Sequence, residues 1–252
     1  MTTPNDPAGS RAEARADSFR TQFGGKPMPG YRGLPVFAAP GLHEAVTTLL
    51  QAGVPAGARV LELGAGSGAM AQRLADLGFD VTASDLFAGS FRPLTPIPFV
   101  AADLNANFAA GLPRGLQVVT ALELIEHLEN PRHFLRQVRA LLPVGGQLLL
   151  STPNIANPVS QALFLRTGQF QWFREADYRE QGHITPLSPW VLEKALTEAG
   201  FVVKAERAVS TPFRRMRRSE PLVRVLASLF ALLSGLPRSR RGELWLVRAE
   251  AC

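Results

Sequence analysis

The strongest constraint on the fold is residues 60–68, V-L-E-L-G-A-G-S-G, where an apolar strand leads into a loop of alternating glycines. Glycines at 64, 66 and 68 carry no Cβ atom, so the chain can bend sharply and its backbone N–H groups can approach a ligand at the next helix. The following apolar run ends at Asp85, whose carboxylate can accept both hydroxyls of a ribose. Together these features predict a pocket for an adenosine-containing cofactor.

The spacing of the glycines narrows the choice of cofactor. The loop G-A-G-S-G is one residue shorter than the G-x-G-x-x-G pattern that seats a pyrophosphate. A ligand without phosphates therefore fits better, and S-adenosyl-L-methionine meets that description.

Apolar strands alternate with helical stretches from residue 59 to residue 152, and a helix at 188–199 and strands at 201–205 and 244–248 follow. This alternation predicts an α/β fold with a Rossmann-like, doubly wound and mostly parallel sheet. The length of 252 residues and the 46% hydrophobic content suit one domain with a substantial core.

Four blocks in series resemble the class I S-adenosylmethionine-dependent methyltransferases: the loop E-L-G-A-G-S-G, Asp85, the pair Asp103-Leu104, and T-A-L-E-L-I-E-H-L-E-N-P at 120–131. The resemblance implies that Asp103 receives the adenine amino group and that the N–H of Leu104 meets the ring. It also implies that the carboxylate of Glu62 lies under the methionine amino group. The cofactor-binding residues expected on this basis are Glu62, Gly64, Ala65, Gly66, Gly68, Asp85, Leu86, Asp103, Leu104 and Leu122.

The resemblance also sets the expected domain organisation. Residues 201–205 and 244–248 become a C-terminal antiparallel hairpin that closes the sheet. Residues 41–252 form the methyltransferase domain, and residues 1–40 form a mobile N-terminal segment that orders over the cofactor.

The sequence E-L-I-E-H at 123–127 suggests a cation site. In a helical turn, positions i, i+3 and i+4 would bring Glu123, Glu126 and His127 onto one face beside the cofactor. His183, in Q-G-H-I-T-P-L, is a fourth candidate ligand. Oxygen ligands favour Mg²⁺ or Mn²⁺, whereas two histidines leave Zn²⁺ or Fe²⁺ open.

An E-x-x-E-H turn with a later histidine is similar to metal-dependent O-methyltransferases. These are the ubiquinone-biosynthesis type and the small-RNA 2′-O-methyltransferases, in which a cation grips two adjacent oxygens. The resemblance implies Glu123, Glu126, His127 and His183 as ligands. In one alternative, Glu126 and His127 only shape the cofactor pocket. In another, no metal is bound and His127 or His183 serves as the general base.

Two insertions interrupt the predicted scaffold. Residues 154–186 are rich in aromatic side chains, and we expect this insertion to be a substrate lid over the carboxyl ends of the strands. The alternative is a packed subdomain without ligand contact. Its aromatic residues are Phe164, Phe170, Trp172, Phe173 and Tyr178.

The second insertion, residues 212–241, is an apolar helix with arginines at both ends. Its predicted broad apolar face consists of Leu222, Val225, Leu226, Leu229, Phe230 and Leu233, and its narrow small or polar face consists of Arg224, Ala227, Ser228 and Ala231. The run is too short to span a bilayer. It predicts peripheral contact with the inner face of a membrane or a portal for lipophilic substrates, and the alternative is a helix buried against the lid or in a dimer interface.

Composition limits the compartment and the partners. The single cysteine, Cys252, leaves no disulfide framework, and the first residues lack a secretory signal pattern, so we expect a cytoplasmic protein. The net charge is +6, and the excess lies near the C-terminus. A small-molecule or lipid-linked substrate is expected, and nucleic acid is not, because no RNA-binding module is appended.

The sequence therefore favours an S-adenosylmethionine-dependent O-methyltransferase acting on a small or lipophilic hydroxyl compound, such as a catechol, a quinone precursor or a glycan. Two alternatives stay open. One is an RNA ribose 2′-O-methyltransferase, and the other is a non-catalytic protein that binds S-adenosylmethionine.

Overall fold

The computed structural model describes residues 30–213 and 221–252. The helices are α1 (Leu42–Gln51), α2 (Ala69–Asp76), α3 (Pro131–Leu141), α4 (Pro158–Thr167), α5 (Glu175–Gln181), α6 (Pro189–Glu198) and α7 (Pro221–Leu233). The strands are β1 (Gly30–Tyr31), β2 (Leu34–Pro35), β3 (Arg59–Leu63), β4 (Asp80–Asp85), β5 (Phe99–Ala101), β6 (Val118–Leu122), β7 (Gln147–Pro153), β8 (Phe201–Val209) and β9 (Leu244–Ala251).

Seven of these strands form one sheet in the order β5-β4-β3-β6-β7-β9-β8. Strands β3 to β7 are parallel, and the order reverses direction at β3, which pairs with both β4 and β6. Strand β9 lies antiparallel between β7 and β8. The doubly wound sheet and the C-terminal hairpin predicted from the sequence are confirmed. The carboxyl ends of β3 and β6, on either side of the reversal, are where such sheets bind ligands.

Three helices begin with the same local device. Asn130, Asn157 and Ser188 each accept a hydrogen bond from the backbone N–H three residues later, and a proline follows each of them. The side chain satisfies an N–H that the first turn leaves without a partner, and proline has no N–H to lose at that position. The dipeptides N-P and S-P therefore fix where α3, α4 and α6 start.

The core occupies both faces of the sheet, as alternation along β3 shows. Leu61 and Leu63 belong to one apolar cluster with Phe134 of α3, whereas Val60 belongs to the other with Leu50 of α1. Side chains of successive strand residues point to opposite faces, so a central strand buried on both faces is apolar almost throughout. Apart from the exposed Arg59 at its start, Glu62 is the exception in β3, and it is buried.

The N-terminal segment predicted for residues 1–40 is described by the structure from residue 30 onward. Residues 30–40 form the two-stranded β1-β2 sheet and pack on the domain, with Leu34, Val36 and Ala38 buried. Ser67 of the glycine loop donates a hydrogen bond to the carbonyl of Pro35 at 2.5 Å. The remainder of the predicted mobile segment, residues 1–29, lies outside the described residues.

Both insertions contain helices that pack on each other. Residues 154–186 contain α4 and α5, and α7 of the second insertion lies against α4. Four of the arginines expected before the apolar run, at 214, 215, 217 and 218, lie outside the described residues. None of the helices within residues 30–213 and 221–252 is long and apolar enough to cross a membrane.

Candidate active site

The glycine loop adopts a backbone that other residues resist. Gly64, Gly66 and Gly68 have φ angles of +74°, +53° and +84°. A Cβ on Gly68 would lie 2.9 Å from Cε2 of Phe91. Since L-residues with side chains rarely occupy this region, the loop needs glycine for its conformation as well as for access to a ligand.

Asp85 fastens the loop to the end of β4. Its Oδ2 accepts the N–H of Gly66 at 2.9 Å, and its Oδ1 accepts the N–H of Leu86 at 2.7 Å. Each carboxylate oxygen can accept a second hydrogen bond, which leaves capacity for the hydroxyls of a ribose. The carboxylate predicted from the sequence is thus held beside the glycines by the backbone itself.

Glu62 is a buried acid behind the loop. Burial, together with the nearby charge of Asp85, raises the pKa of Glu62 to about 8. Its Oε2 has no hydrogen-bond partner among the residues that the structure describes. A buried oxygen without a donor is costly, and a cationic group such as an amino acid ammonium would satisfy it. The residues present therefore fit the cofactor that the glycine loop predicts.

A cavity of about 250 Å³ opens at this edge of the sheet. Seven of the predicted cofactor residues line it: Gly64, Gly66, Asp85, Leu86, Asp103, Leu104 and Leu122. Glu62, Ala65 and Gly68 lie in the supporting strand and loop rather than in the lining. The cavity continues past Glu123 to His127, Trp172 and His183, so the cofactor region and the predicted cation region share one space.

The turn after β6 differs from the helical turn that the sequence suggested. Glu123 has a φ of +49°, and only residues Ile125–His127 form a helix, which is of the 3-10 type. The side chain of Glu123 accepts a hydrogen bond from Ser151 Oγ at 2.9 Å. Burial and the neighbouring Glu126 raise the pKa of Glu123 well above its usual range. Strained backbone of this kind is frequent at functional sites.

Three of the four predicted ligands come together. Glu126, His127 and His183 each place one donor atom within 4.8 Å of the others, and the two imidazole rings are 4.8 Å apart. Glu123 is not part of this group. The structure thus groups three of the four predicted ligands, and the left-handed backbone at Glu123 departs from the helical turn from which the i, i+3 relation was predicted.

Backbone hydrogen bonds bring His183 to the turn although it is distant in sequence. The carbonyl of Glu126 accepts the N–H groups of Ile184 and Thr185, both at 3.0 Å. The hydroxyl of Thr185 donates to the carbonyl of Leu128 at 2.6 Å. The loop before α6 is therefore docked on the turn after β6, which fixes His183 opposite His127.

Both histidines are oriented by backbone carbonyls. His127 Nδ1 lies 3.1 Å from the carbonyl oxygen of Gly182, and His183 Nδ1 lies 2.7 Å from that of Trp172. A carbonyl can only accept, so Nδ1 carries the proton and, in the neutral ring, the lone pair is on Nε2. A backbone carbonyl that accepts the second ring N–H is common among metal-binding histidines and also suits a general base.

The donor group fits a divalent cation after a small contraction. Two ligands about 2.1 Å from one ion lie at most about 4.2 Å apart, slightly less than the widest spacing here. Glu126 is fully buried, and its Oε2 accepts the hydroxyl of Thr152 at 3.0 Å. A carboxylate supported in this way and two oriented imidazoles form a donor set for Mn²⁺, Fe²⁺ or Zn²⁺ as well as Mg²⁺.

Comparison with known proteins decides the family. A model of the methyltransferase domain matches residues 36–206, which is more than half of the chain. The chain belongs to the S-adenosylmethionine-dependent methyltransferase family. The resemblance inferred from the glycine loop and the acidic blocks is thereby confirmed.

Curated relatives of this methyltransferase include a ubiquinone biosynthesis O-methyltransferase of Xanthomonas euvesicatoria. It is 34% identical over 119 residues, which cover 44% of this chain and 48% of the relative. The match thus spans about half the length of that protein. This relative is of one of the two enzyme types to which the E-x-x-E-H turn is similar.

Solved structures of methyltransferases share the fold. One is the magnesium protoporphyrin IX methyltransferase of Synechocystis with bound SAH, with a TM-score of 0.59, 15% identity and coverage of 98% of this chain and 96% of that one. Another, an S-adenosylmethionine-dependent methyltransferase from Mesorhizobium loti, has a TM-score of 0.53 and 19% identity over 81% of this chain and 96% of that one. At these identities the likeness concerns the fold.

Several lining residues of the methyltransferase were not singled out from the sequence. They are Phe37, Ala38, Ala39, Asn105, Leu124, Leu128, Gln181 and Leu244. Phe37, Ala38 and Ala39 come from the segment before α1 and Leu244 from the hairpin, and no motif marks these four. Leu124 and Leu128 lie within the block 120–131, where the sequence does not show which apolar side chains reach the cavity. Of the five aromatic residues in the predicted lid, Trp172 lines the cavity, whereas Phe164 and Phe170 stack on each other with ring centres 4.5 Å apart.

Proposed function

We propose that this protein transfers the methyl group of S-adenosyl-L-methionine to a hydroxyl oxygen of a small lipophilic molecule. The observation that carries the proposal is that one and the same cavity is lined by the glycine loop with Asp85 and by His127 and His183. Bringing donor and acceptor into one confined space turns an encounter of two molecules into a reaction within one complex.

The cofactor end of the cavity would hold S-adenosylmethionine through groups already positioned. Asp85 faces the space as an acceptor for the ribose, and Asp103 and Leu104 lie along the same wall for adenine. Glu62 provides negative charge for the methionine ammonium once its proton is lost. Bound in this way, the cofactor supplies a methyl group on a sulfonium sulfur, which departs with the bonding electrons as the acceptor oxygen attacks.

The acceptor end would deal with the proton of the hydroxyl. A divalent cation held by Glu126, His127 and His183 would lower the pKa of an acceptor hydroxyl and favour substrates with two adjacent oxygens. In the absence of a cation, Nε2 of His127 or His183 would accept that proton. In both cases the hydrogen bonds to Gly182 and Trp172 keep the rings in orientation.

Apolar side chains in the cavity wall favour a lipophilic acceptor. Leu124, Leu128, Trp172 and Leu244 line the cavity, and the ring centre of Trp172 lies 6.5 Å from that of His183. The match to a ubiquinone biosynthesis O-methyltransferase, which covers 48% of that protein's length, supports the same substrate class. An alkylated catechol, with adjacent hydroxyls on an apolar ring, is therefore the acceptor that we would test before glycans and RNA ends.

The proposal is tested by titration calorimetry of S-adenosylmethionine and then of Mg²⁺, Mn²⁺ and Zn²⁺ into wild type, Glu126→Ala and Glu126→Gln. We expect cation binding to fall at least about tenfold in both variants, while cofactor binding is retained. Glu129→Gln, the same change on an exposed side chain three residues later, is the matched control and should bind as wild type does.

Methyl transfer is measured in parallel with labelled cofactor and an alkylated catechol, a glycan and an RNA 3′ end. Transfer to the catechol that depends on Glu126 supports the proposal. Absence of cation binding in wild type would refute the metal-assisted route and leave the histidines as bases. Cofactor binding without transfer to any acceptor would instead indicate a non-catalytic binding protein.

A further inference from the structure

Helix α7 is attached to the domain by its narrow face rather than by its broad apolar face. Val223 and Ala227 are fully buried and pack with Val159, Ala162 and Leu163 of α4. The sequence had placed Ala227 on the polar side of the helix. Of the predicted apolar face, Leu226 and Phe230 take part in this packing.

The rest of the apolar face points away from the domain. Its side chains have relative exposures between 48% and 78%, and their positions on a helix fall within one strip about a third of the circumference wide. The strip consists of Leu222, Val225, Leu229, Leu232 and Leu233. Scattered exposed apolar residues are ordinary, but a continuous strip on one helix marks a surface that another body covers.

The charge around this strip has one sign. Residues 221–241 contain four arginines and no acidic residue, so this segment contributes +4, against +6 for the whole chain. Arg224 is exposed on the helix, and Arg238 is exposed after it. Arg240 is paired with Glu193 and Glu206 of the domain and is the exception.

We infer that the exposed strip of α7 docks on an anionic lipid surface. A short helix with a leucine-rich face and flanking arginines has the composition of interfacial helices, which insert their apolar side chains among the acyl chains while their cations meet the headgroups. The helix has 13 residues, about 20 Å, which suits lying in the interface rather than crossing it. This inference does not depend on the reaction that the cavity catalyses.

A second copy of the chain is the competing occupant, and the charge disfavours it. In a two-fold contact each strip would face the other, with the two helices antiparallel or nearly so. Arg224 near one end would then approach the segment that carries Arg238 and Arg241 of the other copy. No acidic residue in 221–241 would offset this repulsion.

The test is co-sedimentation of the full chain with vesicles of phosphatidylcholine alone or of phosphatidylcholine with phosphatidylglycerol. The variant is Leu229→Ser with Leu232→Ser, both exposed, and the control is Val144→Ser, which removes a 77% exposed apolar side chain elsewhere. Wild type and the control should bind the anionic vesicles, and more weakly so as salt is raised. The double variant should bind about tenfold more weakly for each leucine removed.

Three outcomes would overturn the inference: no binding of wild type to either vesicle, equal binding to neutral and anionic vesicles, or equal binding by the double variant. Sedimentation velocity without lipid gives a fourth such outcome. If wild type were a dimer and the double variant a monomer, the strip would be assigned to self-association. Unchanged thermal unfolding and cofactor binding of the double variant would show that its loss of binding is not a loss of fold. Arg224→Gln should weaken anionic binding while leaving these two properties unchanged.

Discussion

Glu62 gives the sharpest quantitative prediction. The pKa of its carboxyl is raised from 4.5 to about 8 in the folded protein, chiefly by burial and then by Asp85. Between these two pH values the folded state keeps a proton that the unfolded state releases. The contribution of this proton to stability is therefore complete below pH 4.5 and is lost as the pH rises through about 8. At about 1.4 kcal/mol per pKa unit, the free energy of unfolding falls by about 5 kcal/mol over this range.

The perturbation is Glu62→Gln, which keeps the shape of the side chain and removes its titration. We expect the variant to gain about 5 kcal/mol relative to wild type between pH 4.5 and pH 8.5, without added cofactor. Urea denaturation at several pH values measures the difference, and Glu129→Gln, an exposed change, should follow wild type throughout. A difference between Glu62→Gln and wild type that is independent of pH would refute the assignment.

Cofactor binding supplies the second half of this prediction. An ammonium group beside Glu62 stabilises its carboxylate, so binding of S-adenosylmethionine near pH 7 should release a proton from wild type. Calorimetry in buffers of different ionisation enthalpy would detect that proton. The Glu62→Gln variant should release none and bind more weakly, since its amide offers no charge to the ammonium.

Two further substitutions test the loop and the core. Gly68→Ala places a Cβ 2.9 Å from Phe91 at a φ of +84°. We expect this change to lower the free energy of unfolding by about 1–3 kcal/mol and to weaken cofactor binding, as thermal unfolding and titration would show. The control is Gly89→Ala, whose Cβ would have no described heavy atom within 4 Å beyond its chain neighbours, and it should have little effect in the same assays. Phe134→Ala removes a fully buried ring and should lower the free energy of unfolding by about 3–5 kcal/mol, measured by urea denaturation. The control is Val144→Ala, on an exposed side chain. If Phe134→Ala lowered the stability no more than this control does, the buried packing of Phe134 would be contradicted.

Local chemistry explains why the cofactor end of the site could be predicted from the sequence. The glycine loop follows β3, Asp85 is the last residue of β4, and Asp103 lies two residues after β5. The carboxyl ends of these parallel strands meet at one edge of the sheet. Once the alternation of strands and helices is recognised, their proximity follows from topology. Residues that extend from consecutive strand ends need little further information to be placed.

The acceptor end required the tertiary structure. His183 meets His127 because the carbonyl of Glu126 accepts two N–H groups from the loop that carries His183, and no local pattern records that contact. Glu123 leaves the cluster because its backbone is left-handed, which a helical spacing rule cannot anticipate. Contacts between segments more than fifty residues apart depend on packing, which the sequence determines only through the whole fold.

The amphipathic character of α7 was visible in the sequence, whereas its orientation was not. Hydrophobic periodicity shows which residues share a face, but α7 is apolar on most of its circumference, so either side could be buried. The small side chain of Ala227 lets α7 approach α4 closely, and this contact turns the leucines outward. The sequence by itself determined the alternation of strands and helices and the cofactor loop, because these follow from local pattern. The joining of the histidines and the exposed face of α7 were decided by tertiary packing, where close approach between distant segments selects one arrangement among several that the local pattern allows.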